Sequence, residues 1–178
     1  MKTLLIASLA LALCASASGA DTDTAADLVQ AQVVVADGSL SDALRQDEML
    51  AARRYATFWN TGDERYAQAA LDAGFVDRTL PPGRAQGVAG PLAASKFVRT
   101  AIPDLRADLR QMIVAGDRVT VHYRFHGHFT GRWGQTQGKG QAVDFIATDI
   151  YRVADGKITD NWHIEDNLAL MRQLGLAH

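Results

Sequence analysis

The chain has 178 residues, a formal net charge of −2 and one cysteine. That length fits a single domain with a substantial core, and 48% hydrophobic with 21% charged residues excludes disordered and fibrous chains. The near-neutral balance leaves no basic footprint, so no nucleic-acid partner is expected.

The chain opens with Lys2 and an apolar run, Leu4 to Leu13, followed by small residues. That layout predicts a secretory signal over residues 1–20, cut after Ala17 or Ala20. A lipoprotein reading would acylate Cys14, but Leu13 stands where a small residue is the rule. The run is too short to span a bilayer, which needs ~20 apolar residues, so no membrane span is expected. Removing residues 1–20 leaves 17 basic and 20 acidic residues and no cysteine. The expected destination is the periplasm or the outside of the cell, and thiol chemistry is excluded there.

Residues 21–44, rich in Asp, Thr, Ala and Ser, read as a flexible leader with a short strand at Val33-Val34-Val35, and residues 45–178 as the domain. Near-helical spacing of Leu50, Tyr55, Phe58 and Trp59 predicts a helix from Asp47 to Asn60. Thr61-Gly62-Asp63 stops it, and Asp63 caps a second helix running to Leu71. A strand from Phe75 to Leu80 ends at Pro81-Pro82-Gly83, and Pro91 sits in the first turn of a third helix. Strands Asp108–Val114 and Arg118–Thr130 follow, then Gln141–Val153 and Lys157–Glu165, and a last helix from Asn167 to Leu174. Helices first, then an antiparallel meander, then one helix is an α+β layout.

Two motifs fail on inspection. Gly134 to Gly140 resembles a phosphate loop, but Trp133 stands where the first glycine is needed and Gly140 where Ser or Thr is needed; a flexible hairpin loop is expected. His122, His126 and His128 share one strand face. His126 and His128, ~6.6 Å apart along the strand, could hold a metal for hydrolysis. Arg124 on the same face would repel one, and no metal ligand is assigned.

The last hairpin is the most informative region. A three-residue loop, Ala154-Asp155-Gly156, would make Asp149 and His163 diagonal neighbours, their Cβ atoms ~7 Å apart, on a face with Phe145, Tyr151 and Glu165. Ile146, Ile150, Ile158, Trp162 and Ile164 would share the other. A two-residue turn would place Asp149 with Trp162 and dissolve the Asp–His pair. An Asp-held imidazole is a tuned base near neutral pH. Periodicity alone assigns the Ile/Trp face to the core and leaves Asp149 and His163 in solvent.

Several runs occur in an order that resembles the SnoaL-like polyketide cyclase, or ester cyclase, family of the nuclear transport factor 2-like superfamily. They are Phe58-Trp59-Asn60-Thr61-Gly62-Asp63, Leu80-Pro81-Pro82-Gly83, Pro103-Asp104-Leu105, Gly127-His128-Phe129-Thr130-Gly131, Asp149-Ile150-Tyr151-Arg152, Gly156-Lys157-Ile158, Trp162 and Gln173-Leu174-Gly175. The resemblance implies a cone of curved antiparallel sheet with helices over one face and a pocket between them. It also implies a dimer or higher oligomer, often joined through the outer sheet face, and a homodimer is expected. That arrangement turns the Asp149/His163 face into the cavity.

In the cyclases the general acid/base is an Asp following the Trp of the last strand, a position held here by His163. The expected protein is therefore a cofactor-free, exported enzyme moving protons on a hydrophobic small carbonyl compound, cyclase-, isomerase- or lyase-like. His163 would be the general acid/base and Asp149 its orienting partner. Tyr55, Phe58, Phe145, Tyr151, Asn161 and Glu165 are candidate pocket residues. The alternative is a non-catalytic small-ligand-binding protein with the same pocket.

Overall fold

The computed structural model describes residues 27–177; the expected signal segment lies outside them. Six strands form one curved, unclosed sheet: β1 (Val33–Ala36), β2 (Leu71–Asp77), β3 (Arg106–Ala115), β4 (Arg118–Phe129), β7 (Gln141–Ala154) and β8 (Lys157–Glu165). Their order is β1-β3-β4-β7-β8-β2. The four long strands pair antiparallel, and the two edge strands pair parallel to their neighbours. The minor strands β5 (Arg132–Trp133) and β6 (Thr136–Gln137) make a small hairpin from the expected flexible loop. Helices α1 (Asp42–Thr61), α2 (Glu64–Ala70) and α3 (Ala89–Ala101) precede the meander, and α4 (Asn167–Gln173) follows it. The α+β class expected from the sequence is the one observed.

Local chemistry sets the helix ends. Ser41 accepts the Leu44 N–H at 3.3 Å and starts α1 five residues before the expected Asp47. Gly62 ends it with φ 78°, donating its N–H to Phe58 O. The Arg99 side chain crosses this glycine, and a Cβ there would lie 2.6 Å from Arg99 Nε. Arg99 then bonds Trp59 O and Leu105 O, fastening the end of α1 to α3 and the loop before β3.

Part of the segment read as a leader belongs to the sheet. Val33–Ala36 pairs with β3, and the Val29 N–H donates to Thr57 Oγ1 of α1. The strand expected over Phe75–Leu80 lies earlier, because Thr79 folds back as its N–H bonds the Asp77 carboxylate.

The β7–β8 hairpin corrects the expected register twice. Asp155 and Gly156 have φ of 50° and 69°, and Ala154 pairs with Lys157, so the turn has two residues rather than three. That turn alone would move Asp149 onto the Trp162 face. A bulge reverses it: Val153 pairs with Ile158 and Arg152 with Asp160, leaving Thr159 unpaired. Beyond the bulge Asp149 pairs directly with His163. Ile158, expected with the other isoleucines, precedes the bulge and is fully buried.

Tyr123, Phe125, Phe145, Asp149 and Tyr151 point to the buried concave face, whereas Ile146, Ile150 and Ile164 are exposed on the convex one. The assignment by periodicity is therefore reversed, and the face implied by the family resemblance is observed. The convex face also carries the histidines. His122 bonds Thr148, His126 lies 3.5 Å from Asp108, and His128 bonds Asp104 at 2.7 Å. Each histidine has its own partner, and among the described residues no three His, Cys, Asp or Glu side chains are grouped to hold a metal.

Candidate active site

Between the concave sheet and helices α1 and α3 lies a cavity of about 260 Å³, just below the ~300–1,000 Å³ range of ligand pockets. Its wall is largely aromatic: Tyr55 and Trp59 from α1, Phe75 from β2, Phe97 from α3, and Tyr123, Phe125 and Phe145 from the sheet. Trp133, on the small hairpin, meets Phe97 edge-on with centroids 4.8 Å apart, and both line the cavity. An apolar wall of this kind suits a small hydrophobic ligand.

One wall carries an ionic array. The His163 side chain is 6% exposed. Its Nδ1 bonds Glu165 Oε1 at 2.7 Å, and its Nε2 lies 3.1 Å from both oxygens of Asp77. A residue two positions along a strand shares its face, which brings Glu165 beside His163. Asp77 arrives from the neighbouring edge strand, where Gln86 clamps its backbone N–H and C=O at 2.7 and 3.0 Å. Thr79 Oγ1 accepts the His163 N–H, tying the same loop to β8. With a carboxylate on each nitrogen, the imidazole is arranged as a doubly donating cation. Burial opposes that charge, but the hydrogen bonds it donates to Glu165 and Asp77 outweigh it and push the His163 pKa up to about 9. Burial opposes the charge of Glu165 as well, but the hydrogen bond it accepts from His163 and the His163 charge hold it below its ordinary value.

A second polar group sits apart from the array. Asp149, 6% exposed, receives the Tyr151 hydroxyl at 3.0 Å and Asn161 Nδ2 at 3.3 Å, both on Oδ2. The Tyr151 and Tyr123 hydroxyls are 3.0 Å apart. Burial dominates the Asp149 environment and pushes its pKa up to about 7, although His163 and these hydrogen bonds pull the other way. Burial and the nearby Asp149 charge likewise push Tyr55 and Tyr151 well above their ordinary values.

The expected Asp149–His163 contact is thus replaced. The two residues are cross-strand partners, but His163 is held by Asp77 and Glu165, while Asp149 is held by Tyr151 and Asn161. Of the candidate pocket residues, Tyr55, Phe145, Asn161 and Glu165 line the cavity. Phe58 stacks behind Tyr55 with centroids 5.8 Å apart, and Tyr151 lies behind the wall, its ring 5.6 Å from that of Tyr55. Sequence reasoning missed Asp77, Trp59, Tyr123 and Arg84 as lining residues. For Asp77 a signal existed: with Phe75 inward, period two puts Asp77 inward as well.

The profile of the SnoaL-like polyketide cyclase family matches residues 49–174. A Bacillus cereus protein provisionally named a polyketide cyclase is 36% identical; the match covers 85% of this chain and 95% of that one, with a TM-score of 0.78. TsrD from Streptomyces laurentii is 26% identical over 77% of this chain and 98% of its own, with a TM-score of 0.65. IdmH from Streptomyces antibioticus, at 22% identity and a TM-score of 0.65 over 72% of this chain and 98% of its own, shares the fold. No curated protein matches the chain. A curved, unclosed sheet with helices over its concave face is thus a recognised plan, and the chain belongs to the SnoaL-like polyketide cyclase family.

Proposed function

We propose that the protein is an exported, cofactor-free enzyme that enolises a hydrophobic small carbonyl compound, leading to ring closure or isomerisation. One observation carries this reading: an aromatic cavity has an imidazole in its wall with a carboxylate on each nitrogen. Asp77 Oδ2, whose hydrogen-bond partner among the described residues is His163, takes the proton from the carbon beside the carbonyl. The C–H electron pair moves toward the carbonyl oxygen. His163, as an imidazolium, offsets the charge of its two carboxylate neighbours, and Asp77 gives the proton back when the new bond has formed. The family's cyclases support the reaction class. The exposed Ile146, Ile150 and Ile164 support a homodimer through the convex face. The expected signal segment supports export, which N-terminal sequencing of the mature protein checks.

The experiment is α-hydrogen exchange in D₂O, followed by NMR, on aryl ketones such as 2-acetylnaphthalene. The wild type accelerates exchange, and Asp77→Asn and His163→Gln lose at least about 100-fold of it. Binding of these ketones without exchange would make the protein a ligand binder.

A further inference from the structure

The Asp149 cluster lies outside the Asp77–His163–Glu165 array and is not used by the reaction drawn above. Its hydrogen-bond bookkeeping has a direction. The Tyr151 hydroxyl has one proton and gives it to Asp149 Oδ2, so the bond between the tyrosines is donated by Tyr123. Asn161 Nδ2 donates to the same Oδ2. Every protein donor therefore converges on one oxygen. Oδ1 has no hydrogen-bond partner among the described residues, and Asp149 lines the cavity. A proton taken up by Asp149 has its place on Oδ1, because Oδ2 is already receiving two donors. The groups around the carboxyl are Tyr55 from α1, Tyr123 from β4, Tyr151 from its own strand, and Asn161, His163 and Glu165 from β8, with Asp77 on β2 and Arg84 also lining the cavity.

We propose that Asp149 is a second catalytic residue, a neutral carboxylic acid whose Oδ1–H hydrogen-bonds the carbonyl oxygen of the substrate and protonates it as the enol forms. The inference deepens the enolising function proposed above and rests on it. The step balances. The α-carbon loses its proton to Asp77, and the C–H pair becomes the C=C bond of the enol. The carbonyl π pair bonds the proton released from Asp149 Oδ1, which is left as a carboxylate facing Tyr151 and Asn161. On reversal the Asp77 proton goes back to the α-carbon and the enol O–H proton to Asp149; on attack of the enol carbon on a second carbonyl, the enol O–H proton goes back to Asp149 and the Asp77 proton goes to the new alkoxide. The ligand class follows: an apolar body carrying a carbonyl oxygen that accepts a hydrogen bond on the β7 side of the cavity.

The test needs no turnover. Binding of 2-acetylnaphthalene, ¹³C-labelled at its carbonyl, is read by quenching of Trp59 and Trp133, which line the cavity, and by the infrared frequency of the bound carbonyl. The oxygen-free 2-ethylnaphthalene is the control. From pH 5.5 to 8 the burial-raised Asp149 loses its proton while His163 keeps its own. Over that range the wild type's affinity for the ketone is expected to fall about tenfold, the red-shift of its carbonyl is expected to disappear, and the hydrocarbon's affinity is expected to stay level. In Asp149→Asn the amide oxygen can keep the Tyr151 and Asn161 bonds while the amide N–H points into the cavity. That variant should bind the ketone at every pH as the wild type does at pH 5.5. A carbonyl frequency independent of pH in the wild type, a ketone affinity that tracks the hydrocarbon's, or no ketone binding at all would overturn the proposal. Exchange lost in Asp77→Asn together with pH-independent binding would retain the enolising function and remove Asp149 from it.

Discussion

Asp149 and His163 face each other across the β7–β8 ladder, but Asp149 accepts its hydrogen bonds from Tyr151 and Asn161 while His163 donates its own to Glu165 and Asp77. The pair forms two separate proton sites in one cavity, pushed up to about 7 and about 9 for different reasons. Asp149 rises because burial disfavours its anion. His163 rises because two carboxylates favour its cation despite burial.

This separation predicts the pH dependence of turnover. The reaction uses Asp149 with its proton and His163 as a cation, so α-hydrogen exchange should fall as pH rises through about 7 and fall again near 9. In Asp149→Asn the first decline should vanish and the second remain. A rate that rises through pH 7 in the wild type would contradict the assignment.

Stability follows the same shifts. A carboxyl whose pKa is raised on folding favours the folded state most when both states are protonated. Asp149 therefore contributes most at acid pH, and the contribution is lost as pH rises from about 4 through 7. His163 contributes most below its ordinary value near 6.5, and its contribution is lost as pH rises through about 9. At pH 8, Asp149→Asn should unfold at a higher temperature than the wild type by the equivalent of ~1–3 kcal/mol, and the difference should shrink at pH 5.

Glu48 of α1 is fully buried, and neither carboxylate oxygen has a hydrogen-bond partner among the described residues. Burial, assisted by Asp117, raises its pKa. Glu48→Gln should stabilise the fold at neutral pH by ~1–3 kcal/mol, measured by denaturant titration, with little change in exchange activity.

Gly62 combines a left-handed backbone with the close passage of Arg99. Gly62→Ala should destabilise by about 1–2 kcal/mol from the backbone alone, and by more if Arg99 loses its bonds to Trp59 and Leu105. Thermal unfolding of Gly62→Ala beside Arg99→Ala separates the two contributions.

The convex face offers a direct test of the proposed dimer. Ile164 is 73% exposed on this face. Sedimentation should find the wild type dimeric and Ile164→Asp monomeric; a monomeric wild type would remove the interface.

Much of this architecture was legible because helices and strands carry their own periods. The order of elements, the Asp63 cap and the aromatic residues of α1 follow from spacing and capping chemistry. The site was only half legible. Its inward face depended on parity along β8, and parity depended on Thr159, whose bulge cancels the two-residue turn before it. Nothing in the local run Lys157-Ile158-Thr159-Asp160 distinguishes a bulge from a regular strand. The apolar pattern pointed the wrong way because Ile146, Ile150 and Ile164 suit a buried surface yet lie outside the cavity. Asp77 was overlooked for a different reason. It stands 86 residues before His163, and only the parallel pairing of an edge strand brings them together.

The central claim is that His163 works as an imidazolium held between Asp77 and Glu165. Nitrogen-15 NMR of histidine-labelled protein, with the His163 signals assigned by their loss in His163→Gln, tests it most directly. The account predicts both ring nitrogens protonated at pH 7 and a titration near pH 9, moving down in Asp77→Asn. A neutral His163 ring at pH 7, titrating near the ordinary value of about 6.5, would contradict it.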